Sequence, residues 1–126
     1  MLLSIVKKIE KYWVFLTLFI LTIITLLSLW PLPELPPFAG NDKMQHIIAY
    51  AVLMLPTALK KPKYWQAIAL GLFVWSGAIE LLQPYINRYG EWADMAANTT
   101  GLITGYLLAM LMQKVLGDRQ KRKNVE

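Results

Sequence analysis

The sequence predicts an all-α, polytopic membrane protein built as a bundle of four transmembrane helices. Hydrophobic residues make up 56% of the 126 residues, which is well above the share usual for soluble domains. A helix needs about 20 mostly apolar residues to cross the hydrocarbon core, and segments 12–30, 43–59, 64–82 and 93–116 are the candidates. This length predicts a single domain over residues 1–126. Cysteine is absent, which excludes disulfides and thiolate metal sites.

The first segment, YWVFLTLFILTIITLLSLW (12–30), contains no charged residue and follows a flank that carries Lys7, Lys8 and Lys11. A cleaved signal peptide also combines a basic flank with an apolar run. Here the run is too long, and it ends in WPLPELPP rather than in a small-x-small cleavage site. We therefore expect an uncleaved membrane anchor.

The other three segments differ in how strongly they indicate a membrane span. Segment 43–59, KMQHIIAYAVLMLPTAL, is the shortest and most polar, and Pro56 predicts a kink or a stop in its last turn. Segment 64–82 carries one charge, Glu80, near its end, and segment 93–116 has its charges at its two ends. An apolar run of 19 residues or more is rare in a soluble core helix, so we expect membrane spans.

The distribution of charge predicts the orientation. Eleven of the thirteen Lys and Arg residues lie in the N-terminal flank, in the loop 60–63, and from Lys114 through the basic tail 117–126. Cytoplasmic loops attract basic residues, so we expect both termini in the cytoplasm and the loops 31–42 and 83–92 outside. The tail could bind RNA, but a solvated tail beside anionic lipid is the simpler interpretation. We therefore expect membrane lipids as partners and no nucleic acid.

Polar side chains converge at the predicted outer ends of the last three segments. Asp42, His46 and Tyr50 are spaced by four residues, as are Asp94 and Asn98, and this spacing puts side chains on one helix face. Ionisable groups inside a membrane usually face one another or a wet cavity. The predicted outward-facing pocket consists of Asp42, Lys43, His46, Tyr50, Glu80, Gln83, Arg88, Asp94 and Asn98.

Each of these residues also has a purely structural interpretation. Asp42 and Asp94 are placed to cap helices. His46 and Tyr50 are compatible with bonded or packed positions in the bundle, and Asn98 is compatible with an interhelical hydrogen bond. The joint occurrence of so many polar groups on one side favours a site over five separate structural roles.

Three further residues have expected roles in neutralising charge and in packing helices. Arg88 is expected to neutralise Glu80 or Asp94 whether or not the region binds a ligand. Gly101 and Gly105 form a GxxxG step, for which close helix packing is the favoured interpretation.

The stretches DKMQHIIAY, IELLQ and NRYGEWADMAANTTGLITG, in this order, resemble the VanZ-like family of small bacterial integral membrane proteins. The family pattern is D-K-x-x-H, then E-x-x-Q, then an Arg, then D-x-x-x-N-x-x-G-x-x-x-G, and residues 42–105 carry every element of it. The resemblance implies a multi-pass protein of the bacterial cytoplasmic (inner) membrane with a role in the envelope. The founding member is associated with low-level resistance to the glycopeptide teicoplanin, and the resemblance implies no particular reaction.

Three functions are compatible with the pocket. The favoured one is a binding module in which Lys43, Arg88 and His46 meet the phosphate of an envelope lipid or a lipid-linked cell-wall precursor. The second is an enzyme at the outer leaflet, for which His46, Glu80 and Asp94 are the catalytic candidates. The third is ion or proton coupling, against which the inner half of the bundle offers no continuing polar path.

We expect neither a cofactor nor a metal. One histidine and no cysteine make a zinc site unconvincing, although the acidic residues and the histidine could together hold another divalent ion. Four short helices are few to enclose a site, so the sequence is compatible with a homo-oligomer or a partner helix.

Overall fold

The computed structural model describes residues 1–30, 42–86 and 92–125, and nearly all of them are helical. The α-helices are α1 (Leu2–Lys11), α2 (Trp13–Leu29), α3 (Asp42–Lys60), α4 (Trp65–Leu82) and α5 (Trp92–Val125), and a 3₁₀ helix (Gln83–Ile86) follows α4. Within these ranges there is no strand. The predicted all-α class is confirmed, and a helix covers each of the four predicted segments.

The apolar surface identifies a multi-pass membrane protein. Two helical spans in the described ranges, Trp65–Tyr85 and α5, are long and apolar enough to cross a membrane, and α1 with α2 adds a third if this bent pair forms one span. Large apolar side chains such as Phe15, Leu70 and Leu107 are exposed along α2, α4 and α5, which is unusual for a soluble protein. The count of four spans, with α3 as one of them, stays a prediction.

Helix α3 is the most enclosed element, and its position explains its composition. It packs along α5 and also contacts α1 and α2, and Tyr50, Leu53, Met54 and Ala58 are fully buried on it. Polar residues in membrane proteins face the bundle interior rather than lipid. A helix surrounded by other helices therefore tolerates the polar residues that weakened its prediction as a span.

The proline of α3 does not end the helix. Pro56 lies inside α3, which continues to Lys60. The next residue, Lys61, has a left-handed backbone conformation with φ of 49° and begins the turn to α4. This turn coincides with the predicted loop 60–63.

An aromatic pair lies next to this turn. The rings of Trp65 and Tyr106 stack with centroids 4.9 Å apart, and the Lys61 ammonium is 5.6 Å from the Trp65 centroid and 5.9 Å from the Tyr106 centroid. Aromatic rings and lysines at a helix end are typical of a membrane–water boundary. The arrangement therefore supports a boundary at the end of α3.

The basic flank at the N-terminus forms α1, a helix that the sequence analysis did not predict. It is bent by 80° from α2, and the bend lies at Tyr12, whose φ of −107° and ψ of 25° are not helical. Val6 is buried against the bundle, whereas Lys7 and Lys11 are exposed. An amphipathic helix with a basic polar face is typical of the membrane interface, so α1 suits a position across the end of the bundle.

Helix α5 includes most of the predicted tail. It continues through segment 117–125 without a break, so that it has 34 residues. A helix of this length extends about 50 Å, whereas the hydrocarbon core is about 30 Å thick. The C-terminal turns of α5 therefore project beyond the apolar layer as a helix rather than as an irregular tail.

Candidate functional site

Helices α3 and α5 lie side by side and run in the same direction. Successive contacts pair Lys43 with Asp94, His46 with Asn98, and Ala51 with Gly105. The polar first turns of both helices are therefore at the same end of the bundle. We call Lys43, His46, Asp94 and Asn98 the polar cluster.

Two glycines of α5 allow the close approach of these helices. A Cβ atom on Gly101 would lie 2.5 Å from the carbonyl oxygen of Ile47 and 2.8 Å from the Cβ of Tyr50. A Cβ atom on Gly105 would overlap the backbone of Ala51, 3.0 Å from its Cα. Small residues at such steps let helix backbones approach in membranes. The GxxxG step therefore sets the spacing at which the polar side chains of α3 and α5 meet.

The polar cluster contains an ion pair between the first turns of α3 and α5. Lys43 Nζ donates a charge-assisted hydrogen bond to Asp94 Oδ1. The Asp94 side chain is only 10% exposed, whereas that of Lys43 is 35% exposed. A buried carboxylate is costly unless it is paired, and the first turn of α5 also favours an acid through the helix dipole. The pair therefore combines a buried acid with a partly accessible cation.

Asp94 has a positive partner that the sequence did not predict. The expectation that Arg88 neutralises Glu80 or Asp94 stays a prediction, because Arg88 lies outside the described residues. Lys43 provides a positive partner within them. The spacing of Lys43 and His46 on α3, three residues apart, was the available signal, because it puts the ammonium on the same face as the imidazole.

His46 is oriented by a buried amide. Its Nδ1 lies 2.8 Å from Asn98 Oδ1, and because that oxygen can only accept, Nδ1 carries the proton in this arrangement. The other ring nitrogen, Nε2, lies 3.7 Å from Asp94 Oδ1, which is longer than a hydrogen bond. The His46 side chain is 24% exposed, while Asn98 is buried. Asn98 thus orients the imidazole ring of His46, and part of the ring remains accessible.

Helix α4 contributes a polar stripe that faces inward. Ser76, Glu80 and Gln83 are all buried. Gln83 Nε2 donates to the carbonyl oxygen of Ser28 at 3.1 Å. Its Oε1 is buried and has no hydrogen-bond partner among the described residues. The stripe therefore points into the bundle and not into lipid.

The structure brings together four of the nine residues predicted to form the pocket. Lys43, His46, Asp94 and Asn98 form one connected network, and Tyr50 is buried one turn further along α3. Gln83 lies at the end of α4, held by α2. The side chain of Asp42, the first residue of α3, and all of Arg88 lie outside the described residues. In the ranges 1–30, 42–86 and 92–125, no three His, Asp or Glu side chains are grouped to hold a metal ion.

The opposite half of the bundle contains polar contacts that the sequence analysis did not expect. The hydroxyls of Thr17 and Thr57 are 3.3 Å apart in a buried position. Gln113 Nε2 donates to Glu10 Oε1 at 2.8 Å and to the Leu59 carbonyl oxygen at 2.9 Å. Polar residues inside apolar segments were the signal for these contacts, since such residues commonly bond across helices. They connect α2 and α5 to α3, and α1 to α5.

Comparison with known proteins agrees with this architecture. No curated protein and no solved structure is significantly similar to the chain. Residues 1–113 of the 126 match the family model described as VanZ/LLP1, and this range includes the GxxxG step and all four residues of the polar cluster. The chain therefore belongs to the VanZ/LLP1 family.

Proposed function

We propose that the polar cluster binds the head group of an envelope lipid or of a lipid-linked cell-wall precursor. One observation carries the proposal: a partly exposed ammonium and imidazole, from Lys43 and His46, are backed by the buried carboxylate and amide of Asp94 and Asn98. Partly exposed side chains that buried partners hold in place are suited to contact a polar ligand without rearrangement.

The donors and acceptors of the cluster suit a zwitterionic or sugar-phosphate group. The Lys43 ammonium carries N–H donors only and is 35% exposed, so it suits the oxygens of a phosphate group. His46 Nε2 and the second carboxylate oxygen of Asp94 suit hydroxyl or amine groups. Because Asp94 offsets the charge of Lys43, the cluster is not a simple anion trap.

The end of α4 contains a buried acceptor. Gln83 Oε1 has no hydrogen-bond partner in the described ranges, and an unsatisfied buried acceptor costs about 1–3 kcal/mol. A hydroxyl or amine of a bound head group that reached this oxygen would remove the cost. This favours a ligand with several donors over inorganic phosphate.

The proposed location follows from charge. With basic residues on the cytoplasmic side, both termini lie in the cytoplasm of a bacterium and the polar cluster opens at the outer face of the inner membrane. Members of the family are linked in general to glycopeptide resistance, and we propose an analogous role in tolerance of a glycopeptide such as teicoplanin. A site for envelope precursors on the outer face fits that role, because glycopeptides act there.

Cysteine labelling tests this orientation, since the native chain has no cysteine to react. We expect Tyr85→Cys in intact cells to react with an impermeant thiol reagent and Lys121→Cys to react only after permeabilisation. Both side chains are exposed, so accessibility within the protein does not separate them. The reverse pattern would invert the orientation and move the cluster to the cytoplasmic leaflet.

Lipid retention tests the function. We expect the protein, purified after incubation with total envelope lipid, to retain a discrete polar lipid that mass spectrometry detects. Retention of unchanged lipid supports a binding module. Retention of the bulk lipid composition alone would contradict the proposal.

A membrane-embedded enzyme is the second candidate, favoured by the geometry of His46. Its Nδ1 is occupied by Asn98 and its Nε2 is 3.7 Å from Asp94, an arrangement suited to a general base at the outer leaflet. In the same incubation, a new lipid product that disappears in His46→Ala and Glu80→Gln would favour catalysis. Unchanged lipid with the native protein would favour binding.

A further inference from the structure

A second region with ligand chemistry lies at the end of the bundle opposite the polar cluster. A cavity of about 330 Å³ separates α1 from the C-terminal turns of α5. It is distant in sequence from every residue of the polar cluster, since α5 contributes only residues from Leu116 onward. Its lining divides into an apolar wall and a basic rim.

The wall of the cavity is apolar. Leu2 and Leu3 line it from α1, and the buried Leu116 lines it from α5. The same turn of α1 packs onto the bundle through Val6, which is also buried. The residues of the wall therefore belong to helices that pack in the bundle.

The rim of the cavity is basic. Arg119, Arg122 and Lys123 line it, and their spacing of three and four residues puts all of them on one face of α5. The described residues that line the cavity include no acid. Arginine binds phosphate oxygens in bidentate geometry, so this rim suits an anionic phosphate group.

We propose that this cavity is a binding site for an anionic phospholipid of the adjacent leaflet. The phosphate meets Arg119 and Arg122, and the upper part of an acyl chain lies against Leu3 and Leu116. The combination of apolar wall and basic rim carries the inference, because a soluble phosphate would use only the rim. Nucleic acid is disfavoured for the same reason, since leucines offer its bases no aromatic platform.

The surrounding helices place this cavity at the membrane boundary. Helix α1 lies at 80° to α2 and exposes a basic face, as interfacial helices do. Helix α5 extends past the thickness of the hydrocarbon core, and its last turns bear the rim. A lipid head group in the interface therefore reaches the rim while its chains remain in the apolar layer.

Native mass spectrometry of the full chain in detergent tests the site with two lipids of equal chains, phosphatidylglycerol and phosphatidylcholine. We expect the native protein to bind phosphatidylglycerol in preference, and Arg119→Gln/Arg122→Gln to bind it at least about tenfold more weakly. The matched control, Lys114→Gln/Lys121→Gln, removes the same charge from exposed positions of α5 that do not line the cavity. It should bind phosphatidylglycerol within about twofold of the native protein.

Three outcomes would overturn the proposal. Equal weakening by both double variants would indicate diffuse charge attraction without a site. Equal binding of the two lipids would exclude recognition of an anionic head group. Displacement of phosphatidylglycerol by an equal concentration of glycerol phosphate would indicate a phosphate site that does not use the apolar wall. None of these outcomes depends on the polar cluster or its ligand.

Discussion

An Asp94→Asn variant is expected to lose the retained envelope lipid while remaining inserted and helical. Asp94 is the residue that both Lys43 and His46 approach, one through an ion pair and the other at 3.7 Å. Asparagine keeps the size of the side chain and removes its charge, so the ion pair that positions the ammonium is reduced to a weaker hydrogen bond. We expect lipid retention to fall at least tenfold, equivalent to about 1.4 kcal/mol or more of binding free energy.

The cost to folding should be small enough for the variant to remain folded. Lys43 is partly exposed and can be hydrated once its partner is neutral, and asparagine can still accept a hydrogen bond from it. Losing such a polar contact costs about 1–2 kcal/mol. Helical content by circular dichroism and membrane insertion should therefore match those of the native protein.

Asp118→Asn is the matched control for this experiment. Asp118 is exposed on the same helix, near its opposite end, and the substitution makes the same chemical change. It should leave lipid retention unaltered. If Asp94→Asn retained as much lipid as Asp118→Asn, the polar cluster would be a structural feature of the α3–α5 contact and not a binding site.

The length of the apolar runs is enough to predict most of the helices. Segments 12–30, 64–82 and 93–116 are apolar because lipid surrounds most of their faces. Helices α2 and α4 begin and end close to the predicted positions, whereas α5 continues to Val125. Segment 43–59 gave a weaker signal because α3 is covered by protein. Hydropathy measures how well a segment suits contact with lipid. It therefore gives a weak prediction of a membrane span for a helix that is covered by other helices.

The helix α1 could not be found by the same reasoning. Its lysines, such as Lys7 and Lys8, indicate a cytoplasmic flank, and run length carries no information about a short interfacial helix. The signal lay in periodicity: Leu3, Val6 and Ile9 recur every three residues and pack on the bundle. Such a stripe predicts an amphipathic helix, but the 80° bend depends on packing against α3.

The site was predictable as a set of residues but not as a set of contacts. Helical spacing placed His46 with Tyr50 and Asp94 with Asn98 on common faces, and both faces are turned toward each other. Which residue of α3 meets which residue of α5 depends on the relative shift of two parallel helices. That shift is set by backbone contact at Gly105, and no spacing within one helix contains it.

The backbone contact at Gly105 yields the largest expected effect on stability, from Gly105→Ala. The added methyl group would meet the carbonyl oxygen, the Cα and the carbonyl carbon of Ala51. These are backbone atoms that cannot rotate away, so α3 and α5 must separate. Overpacking of this kind costs about 1–3 kcal/mol, and we expect a melting temperature lower by roughly 10 °C in a thermal unfolding assay in detergent.

Gly117→Ala separates this clash from the intrinsic effect of alanine on the helix. Gly117 lies on the same helix with nothing within 4 Å of a Cβ atom, so alanine there should stabilise the helix by up to about 1 kcal/mol. Because Gly105 also sets the distance between His46 and Asn98, its variant should lose retained lipid even below its melting temperature. A Gly105→Ala protein as stable and as lipid-loaded as Gly117→Ala would mean that α3 and α5 do not touch through their backbones, and the polar cluster would then lack the spacing on which its chemistry depends.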